Sequence, residues 1–241
     1  GGIQPAQSDY NQAIRGLGHG DQHVIVLAPN SVQEMASLTG EAFDLADIYR
    51  MPCMILADGA LGQMMEPVDF GAHTPREIPE KTWATNGHKN ARKHNVVNSL
   101  YIAPEELEKT VLDRFERYAE IEEKEVKYDT YLTEDAEIVV VAYGITARIA
   151  KSAVNAAREA GIKAGLLRPI TLWPFPKATL EKLSHTAKAF ISVEMSMGQM
   201  IEDVRLATGC KRPVALCNRT GGMIPSPDQV LDSIRAAQKG E

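Results

Sequence analysis

The sequence predicts an α/β protein of two units, in which parallel strands alternate with helices. Short β-branched runs, typical of fully buried strands, are each followed by apolar residues at helical spacing. The 241 residues correspond to one or two domains at about 150 residues each. A polar stretch without periodicity, residues 71–103, separates the two series of elements. We therefore expect two layered α/β units joined by a long connection.

The composition excludes several classes of protein. Lys and Arg number 26 against 32 Asp and Glu, a formal charge of −6, which argues against a generally basic nucleic-acid binder. No apolar run approaches the ~20 residues of a membrane span, and no basic-then-apolar leader is visible, so we expect a cytoplasmic protein without a membrane partner. The cysteines Cys53, Cys210 and Cys217 form no Cys-x-x-Cys pair. We therefore expect neither structural zinc nor an iron–sulfur cluster on this chain alone.

The first unit contains a βαβ pattern. Residues 24–27 and 53–57 are predicted to be buried strands. Between them, Ser31 precedes apolar residues at helical spacing that continue to Arg50, and Glu34 completes the spacing of a capping box. A right-handed crossover makes the two strands parallel.

The connection includes a helical arm. Pro104 suits the first position of a helix. Apolar residues then repeat every three or four positions from Leu107 to Tyr118, and the opposite face is charged through Lys127. We assign residues 71–133 to this linker and arm.

The second unit, residues 134–241, is predicted to be doubly wound, because four strands alternate with four helices. The predicted strands are 137–143, 164–167, 189–193 and 214–216. The predicted helices begin near Ile145, Lys177, Gly198 and Pro227.

Local motifs do not complete a catalytic site. Gly144 alone follows the 137–143 strand, where a dinucleotide site has Gly-x-Gly-x-x-Gly, and the next strand ends in Arg168 rather than an acid. NAD binding is therefore not expected. The helix starts near Gly144 and Gly198 have amides and dipoles that suit an anion, although ordinary tight turns are the simpler interpretation.

Clusters of titratable residues are likewise open to two interpretations. His19, Asp21 and His23 suit proton transfer at the mouth of the first strand, or a solvated loop. A basic patch suits a phosphate, or a solvated stretch, and comprises His88, Lys89, Arg92, Lys93 and His94. Methionines at strand ends are expected to fill gaps in the core, and are Met51, Met54, Met64, Met65, Met195, Met197 and Met200.

Longer strings resemble the α subunit of 2-oxoacid:ferredoxin oxidoreductases, closest to the branched-chain (2-oxoisovalerate) type. The first unit carries GGIQPAQSDY (1–10), GHGD (18–21), LAP (27–29), SVQE (31–34) and QMMEP (63–67). The second unit carries YGITAR (143–148), LRPITLWPFP (167–176), VEMSMGQM (193–200) and GGMIP (221–225). The resemblance follows the chain in order from residue 1 to its end.

The resemblance implies a fold and a reaction. Residues 1–70 correspond to the C-terminal part of a thiamine-diphosphate pyrimidine-type αβα domain, and residues 134–241 to a transketolase-C-terminal-like αβα domain. The implied reaction is oxidative decarboxylation of a 2-oxoacid to an acyl-CoA, with electrons passed to ferredoxin. The implied partners are a β subunit that holds the diphosphate and Mg²⁺, a γ subunit, and a ferredoxin-like subunit with iron–sulfur clusters. The chain is expected to act in a homo- or hetero-oligomer and to be inactive alone.

The resemblance also implies site residues. The family's substrate loop corresponds to residues 1–9, and a polar side chain near Gln4 approaches the 2-oxoacid in relatives. Ser8, Asp9 and His19 are expected to line the same pocket, although Ser8 and Asp9 are equally suited to capping the next turn. The glutamate that protonates the pyrimidine and the arginine that meets the substrate carboxylate have no matching segment, so no catalytic residue is assigned.

Two rival functions remain open at this point. One is a binding or interaction module without catalysis, which uses the helix starts at Gly144 and Gly198 for coenzyme A or another phosphate ligand. The other is a complete small nucleotide-dependent enzyme, which the missing fingerprint disfavours. The identity of the 2-oxoacid is not fixed by these residues.

Because leading strands of the first unit are missing from the resemblance, its sheet is expected to be loose or to pair with another chain. In a monomer, backbone amides in residues 24–57 should exchange with deuterium faster than those in residues 137–216. Equal protection of the two regions would contradict this expectation.

Overall fold

The computed structural model describes residues 3–16 and 18–240. Gly1 and Gly2 of the predicted substrate loop, Leu17 and the terminal Glu241 lie outside the described residues. Within the described part, no helix combines the length and apolar character needed to cross a membrane.

Helices and strands alternate as the sequence predicts. The helices of the described residues are α1 (Tyr10–Ile14), α2 (Val32–Tyr49), α3 (Pro104–Lys124), α4 (Gly144–Glu159), α5 (Lys177–Ser184), α6 (Met200–Ala207) and α7 (Pro227–Lys239). The strands are β1 (Ile25–Leu27), β2 (Cys53–Ile55), β3 (Tyr128–Tyr131), β4 (Ile138–Val141), β5 (Ala164–Pro169), β6 (Thr171–Trp173), β7 (Ala189–Glu194) and β8 (Val214–Asn218). Short 3₁₀ turns lie at Leu61–Gln63 and Phe70–Ala72.

The strands form two sheets. The first has the order β2-β1-β6, with β2 parallel and β6 antiparallel to β1. The second has the order β3-β5-β4-β7-β8, in which β3 is the antiparallel strand and the others are parallel. The predicted α/β class and the parallel β1–β2 pair are confirmed.

Two strands differ from the prediction. β3 lies in the segment predicted to be part of the arm, and extends the second sheet. β6 follows β5 after Ile170 alone, but pairs with β1 of the first sheet, where Val26 is opposite Trp173. Both strands have four residues or fewer and lie at sheet edges, so they carry too little periodicity to be seen in the sequence.

The core has two parts, one on each face of the second sheet. One face packs with α4 and α7, and includes Val140, Ala150, Val154, Ile191 and Ile234. The other core continues into the first unit, and includes Ile25, Leu45, Val139, Leu180 and Phe190. Helices on both faces explain why the parallel strands are apolar throughout.

The start of α2 differs from a complete capping box. The Ser31 hydroxyl accepts the Glu34 amide at 3.1 Å, as predicted. The Glu34 carboxylate, however, accepts the Asn30 amide at 2.9 Å and pairs with Arg168, at 2.6 and 2.9 Å. This pair joins α2 to the end of β5, so Glu34 connects the two units. The helix ends at Arg50, which adopts a left-handed φ of 49°.

A buried ionic network holds the polar connection against α2 and α3. The Arg76 guanidinium donates to both Glu125 oxygens at 2.8 Å, and the Tyr49 hydroxyl donates to the same carboxylate at 2.7 Å. Although burial opposes ionisation, the hydrogen bonds from Arg76 and Tyr49 hold the pKa of Glu125 below its usual value. Burial, together with Glu125, raises the pKa of Tyr49. Glu41 also pairs with Arg76 and with Lys127.

Arg76→Met should lower the free energy of unfolding by about 2 kcal/mol at pH 7, because it leaves the buried Glu125 carboxylate without its cation. A lowered native pKa makes Glu125 contribute stability above its unfolded pKa, and that contribution is lost as pH falls through the native value. The difference between Arg76→Met and the unmodified chain should therefore shrink below about pH 4. Urea unfolding at several pH values measures this, and a constant difference would contradict it.

Candidate functional site

The N-terminal segment, residues 3–9, crosses the switch point of the second sheet. From β4 the chain continues to β5 on one side, whereas β7 lies on the other side of β4. In doubly wound sheets, the crevice between the carboxyl ends of two such strands is where ligands bind. Here Gln7 fills this crevice, and only 4% of its surface is exposed.

The Gln7 side chain is held by both strand ends. Its Nε2 donates to the Tyr143 carbonyl after β4, at 2.9 Å, and its Oε1 accepts the Met195 amide after β7, at 3.0 Å. The Gln7 amide also donates to the Met195 carbonyl at 3.0 Å. The side-chain amide therefore spans the switch point and fixes the N-terminal segment across it.

Two buried tyrosines support the same segment. The Tyr10 hydroxyl donates to Asp203 of α6 at 2.8 Å, and its ring centre lies 5.9 Å from that of Tyr143. Burial raises the pKa of both phenols, and also raises the pKa of the Asp203 carboxyl. Both tyrosines are therefore neutral hydrogen-bonding groups at physiological pH.

The structure places three of the four predicted substrate residues on this segment. The Gln4 side chain packs on Gly222, where an added Cβ would lie 2.8 Å from Gln4 Oε1. The exposed Ser8 accepts the Gln199 side chain at its carbonyl, at 2.8 Å. Asp9 lines a small recess with Gln7, beside the start of α4. Gln4, Ser8 and Asp9 therefore follow the carboxyl edges of both sheets.

The capping interpretation of Asp9 receives no support, because its side chain forms no capping bond to α1 in the described residues. His19 lies apart from this segment, on an exposed turn between α1 and β1. That turn is held by Arg114 of α3, which donates to the Gly20 carbonyl at 2.8 Å. That His19 lies in a common pocket with Gln4 stays a prediction.

The helix starts near Gly144 and Gly198 already have partners within the chain. At α4, the Ile145 amide donates to the buried Asp58 carboxylate at 3.2 Å, and an added Cβ on Gly144 would lie 3.1 Å from the same oxygen. At α6, Glu194, with 1% exposure, accepts three successive amides, from Gln199, Met200 and Ile201, at 2.8 to 3.1 Å.

Three amides at the start of α6 and one at the start of α4 are therefore already paired within the chain. Ser192 and Ser196 complete the ring of donors around Glu194, at 2.8 and 2.7 Å, so that carboxylate occupies the anion position of α6. Gly144 and Gly198 serve close packing and left-handed backbone, with φ of 58° and 96°. The predicted cofactor role of these glycines has no support from the geometry.

Sequence analysis missed three buried polar residues of this region, namely Gln7, Asp58 and Glu194. A signal exists only for Glu194, because an acid that ends a strand directly before a helix is placed to meet helix amides. The partners of Gln7 are 136 and 188 residues away, so no local pattern points to them.

Other predicted clusters have different outcomes. His23 packs in an aromatic cluster, stacked on Trp173 with centroids 4.9 Å apart. The basic patch brings the Nε2 atoms of His88 and His94 to 3.2 Å. Burial raises the pKa of Cys53 to about 12, so this thiol is inert at neutral pH. No group of three or more His, Cys, Asp or Glu side chains among the described residues is placed to hold a metal ion.

The methionine prediction is partly wrong. Met195 and Met200 are buried, but Met65 is 97% exposed and Met197 is 77% exposed. Met197 lies between β7 and α6, Met65 follows the Leu61–Gln63 turn, and Ile3, Met223 and Ile224, which neighbour Gln4 or Gly222 in sequence or lie one residue further, are also exposed. We call these five side chains the apolar rim. A core role fails there because the carboxyl edge lacks a further layer in the described chain.

Comparisons with known proteins agree with this architecture. Residues 1–142 match the family model described as pyruvate flavodoxin/ferredoxin oxidoreductase, thiamine diphosphate-binding. Residues 136–230 match the model of pyruvate:ferredoxin oxidoreductase core domain II. A 2-oxoglutarate:ferredoxin oxidoreductase from Magnetococcus marinus has a similar fold, with a TM-score of 0.82 and 22% identity over 97% of this chain and 45% of that one.

Curated relatives are similar over almost all of the chain. Ketoisovalerate oxidoreductase subunit VorB of Methanothermobacter marburgensis is 52% identical over 98% of this chain. The 2-oxoglutarate synthase subunit KorA of Methanothermobacter thermautotrophicus is 31% identical over 95% of this chain. The chain spans 66% of the length of the former and 67% of the latter.

Gln7→Leu should lower the free energy of unfolding by about 2–4 kcal/mol, because it leaves a buried carbonyl and a buried amide without partners. Gln238→Leu, on the exposed end of α7, is the matched control and should change stability by less than about 0.5 kcal/mol. Thermal and urea unfolding measure both. Equal stability of the two variants would show that the Gln7 contacts are dispensable.

Proposed function

Because the chain belongs to the pyruvate flavodoxin/ferredoxin oxidoreductase family, we propose that it is part of a 2-oxoacid:ferredoxin oxidoreductase that acts on branched-chain 2-oxoacids. The observation that carries the substrate class is 52% identity to ketoisovalerate oxidoreductase subunits, against 31% to 2-oxoglutarate synthase subunits. In the proposed reaction, a 2-oxoacid, coenzyme A and two oxidised ferredoxins give an acyl-CoA, CO₂, two reduced ferredoxins and a proton.

The N-terminal segment fits the organic part of thiamine diphosphate. Gln4, Ser8 and Asp9 supply short polar groups, and the apolar rim supplies surface for an aromatic ring. When bound, this cofactor supplies the carbanion chemistry that decarboxylates 2-oxoacids. Diphosphate and Mg²⁺ belong, in this proposal, to a β subunit, and iron–sulfur clusters to further subunits.

The chain's own residues bind and orient. The Gln4 amide donates a hydrogen bond to a substrate oxygen, and the Gly222 backbone on which it packs limits its rotamers. Gln7, Asp58 and Glu194 fix the backbone that carries Gln4, without touching the substrate. The apolar rim is the docking surface for the β subunit, because exposed methionines suit an interface better than water.

The alternative of a phosphate-binding module at the helix starts is less favoured, since Glu194 accepts three amides at α6 and Asp58 accepts the Ile145 amide at α4. A cytoplasmic, oligomeric complex is the proposed setting. The test is co-purification of the protein with its β, γ and ferredoxin-like subunits, followed by reduction of ferredoxin by the complete complex with 2-oxoisovalerate, pyruvate or 2-oxoglutarate. Turnover of 2-oxoisovalerate with the highest kcat/KM supports the proposal, and absence of turnover with all three contradicts it.

Gln4→Ala in this complex should lower kcat/KM for 2-oxoisovalerate by about 10- to 100-fold, the effect of one hydrogen bond to a charged substrate. The physical reason is lost substrate orientation, so subunit association and thermal stability should stay unchanged. Gln238→Ala is the control for loss of a glutamine. Unaltered steady-state kinetics of Gln4→Ala would remove Gln4 from the substrate site.

A further inference from the structure

The polar connection contains a basic loop, residues 81–95. It carries four cations, Lys81, Lys89, Arg92 and Lys93, and no Asp or Glu occurs anywhere between residues 81 and 103. The whole chain has a net charge of −6, so this concentration of positive charge is local. None of the residues assigned above to the proposed reaction lies in this loop.

The loop is anchored at its base on the end of α2. Lys81 pairs with Asp47 at 2.6 Å, and the Arg50 guanidinium lies 4.3 Å from the centre of the Trp83 ring. These two contacts fix the entry of the loop and leave Lys89 and Lys93 at its exposed tip.

The interior of the loop is built by its own side chains. Arg92 donates to the Ala84 carbonyl at 2.9 Å and to Asn86 at 3.2 Å. Asn95 donates to the carbonyls of Thr82 and Ala84, at 2.6 and 3.0 Å. The tip turns through left-handed residues, with φ of 48° at Lys89 and 62° at Asn90. A left-handed backbone at residues other than glycine costs conformational free energy, and such residues are typical of functional loops.

The loop borders an open hollow of about 360 Å³, which is large enough for a small ligand. Its walls contain only neutral and basic residues, which are Thr85, Gly87, His88, Lys89, Asn90, Arg92, His94 and Asn95. Because the wall carries positive charge and no carboxylate, it attracts anions, and its concave shape suits a small anion better than the flat surface of another protein.

The histidine pair presents one N–H donor rather than a metal chelate. His88 Nδ1 accepts the Asn90 amide at 3.0 Å, so the proton of neutral His88 is on Nε2. That proton is directed to His94 Nε2, 3.2 Å away, which leaves the His94 proton on Nδ1. A metal between the two Nε2 atoms would require the lone pair that this proton occupies. The Nδ1–H group of His94 therefore suits an acceptor ligand, whereas His88 positions the His94 ring.

We propose that the loop 81–95 is a binding site for a phosphate-bearing small molecule, held by Lys89, Arg92 and the Nδ1–H group of His94. Phosphate oxygens accept hydrogen bonds from ammonium, guanidinium and imidazole donors, and the hollow exceeds the size of one phosphate, so the class includes nucleotides. The site is separate in sequence from Gln4 and the carboxyl edge, and coenzyme A, the co-substrate of the proposed reaction, belongs to the same class of phosphate-bearing ligands.

The test is calorimetric titration of the intact protein, with its co-purifying subunits, using inorganic phosphate, pyrophosphate, AMP and adenosine at low salt. We expect phosphate, pyrophosphate and AMP to bind, adenosine not to bind, and affinity to fall as salt increases. Lys89→Met should weaken binding roughly tenfold, as loss of one charged contact does. Tighter binding of AMP than of phosphate would identify a nucleotide as the source of the group.

Lys239→Met, on the exposed end of α7, removes the same charge and is the control. Lys89 and Lys239 are both exposed, so both variants should fold, and circular dichroism verifies this. Equal affinity in Lys89→Met and Lys239→Met would overturn the proposal. Binding of an acidic peptide in the absence of phosphate binding would also overturn it, in favour of a protein-docking loop.

Discussion

The arrangement of the molecule depends on one buried amide. Gln7 lies where β4 and β7 part, and a parallel sheet leaves backbone groups at that point without strand partners. By pairing with the Tyr143 carbonyl and the Met195 amide, Gln7 provides hydrogen-bond partners for these two backbone groups and also attaches the N-terminal segment to the sheet. The crevice that other doubly wound proteins leave for a ligand is thus used for cohesion between the two units. In the function proposed above, the substrate surface lies outside this crevice, at Gln4 and the apolar rim.

Carboxylates inside the molecule are likewise paired with hydrogen-bond donors of the same chain. Asp58 accepts the Ile145 amide in the first turn of α4, Glu194 accepts three amides at the start of α6, and the partly exposed Glu34 pairs with Arg168 at the end of β5. Each of these carboxylates has donors on more than one side, which is the condition under which burial of a charge is tolerated. These carboxylates are structural, because each joins a strand end, a helix start or a turn to a neighbouring element.

The sequence predicted the fold class, most helices and strands, and the family, because buried strands and amphipathic helices repeat with clear periods and the longer strings are specific. It did not reveal β6, since three residues after Ile170 give no sign that they leave one sheet for the other. It also misjudged Met65 and Met197, because a methionine has the same hydrophobicity in a core and on a rim. The long-range partners of Gln7 and Asp58 arise from topology, which local spacing does not encode.

The passage from β5 to β6 has a mechanical meaning. Ile170 is the sole residue between a strand of one sheet and a strand of the other, and its own amide and carbonyl bond to Lys127 and Ala28. A connection of one residue, with both backbone groups hydrogen-bonded, prevents the two sheets from rotating relative to each other as hinged domains do. The connection therefore makes the chain stiff where its two units meet.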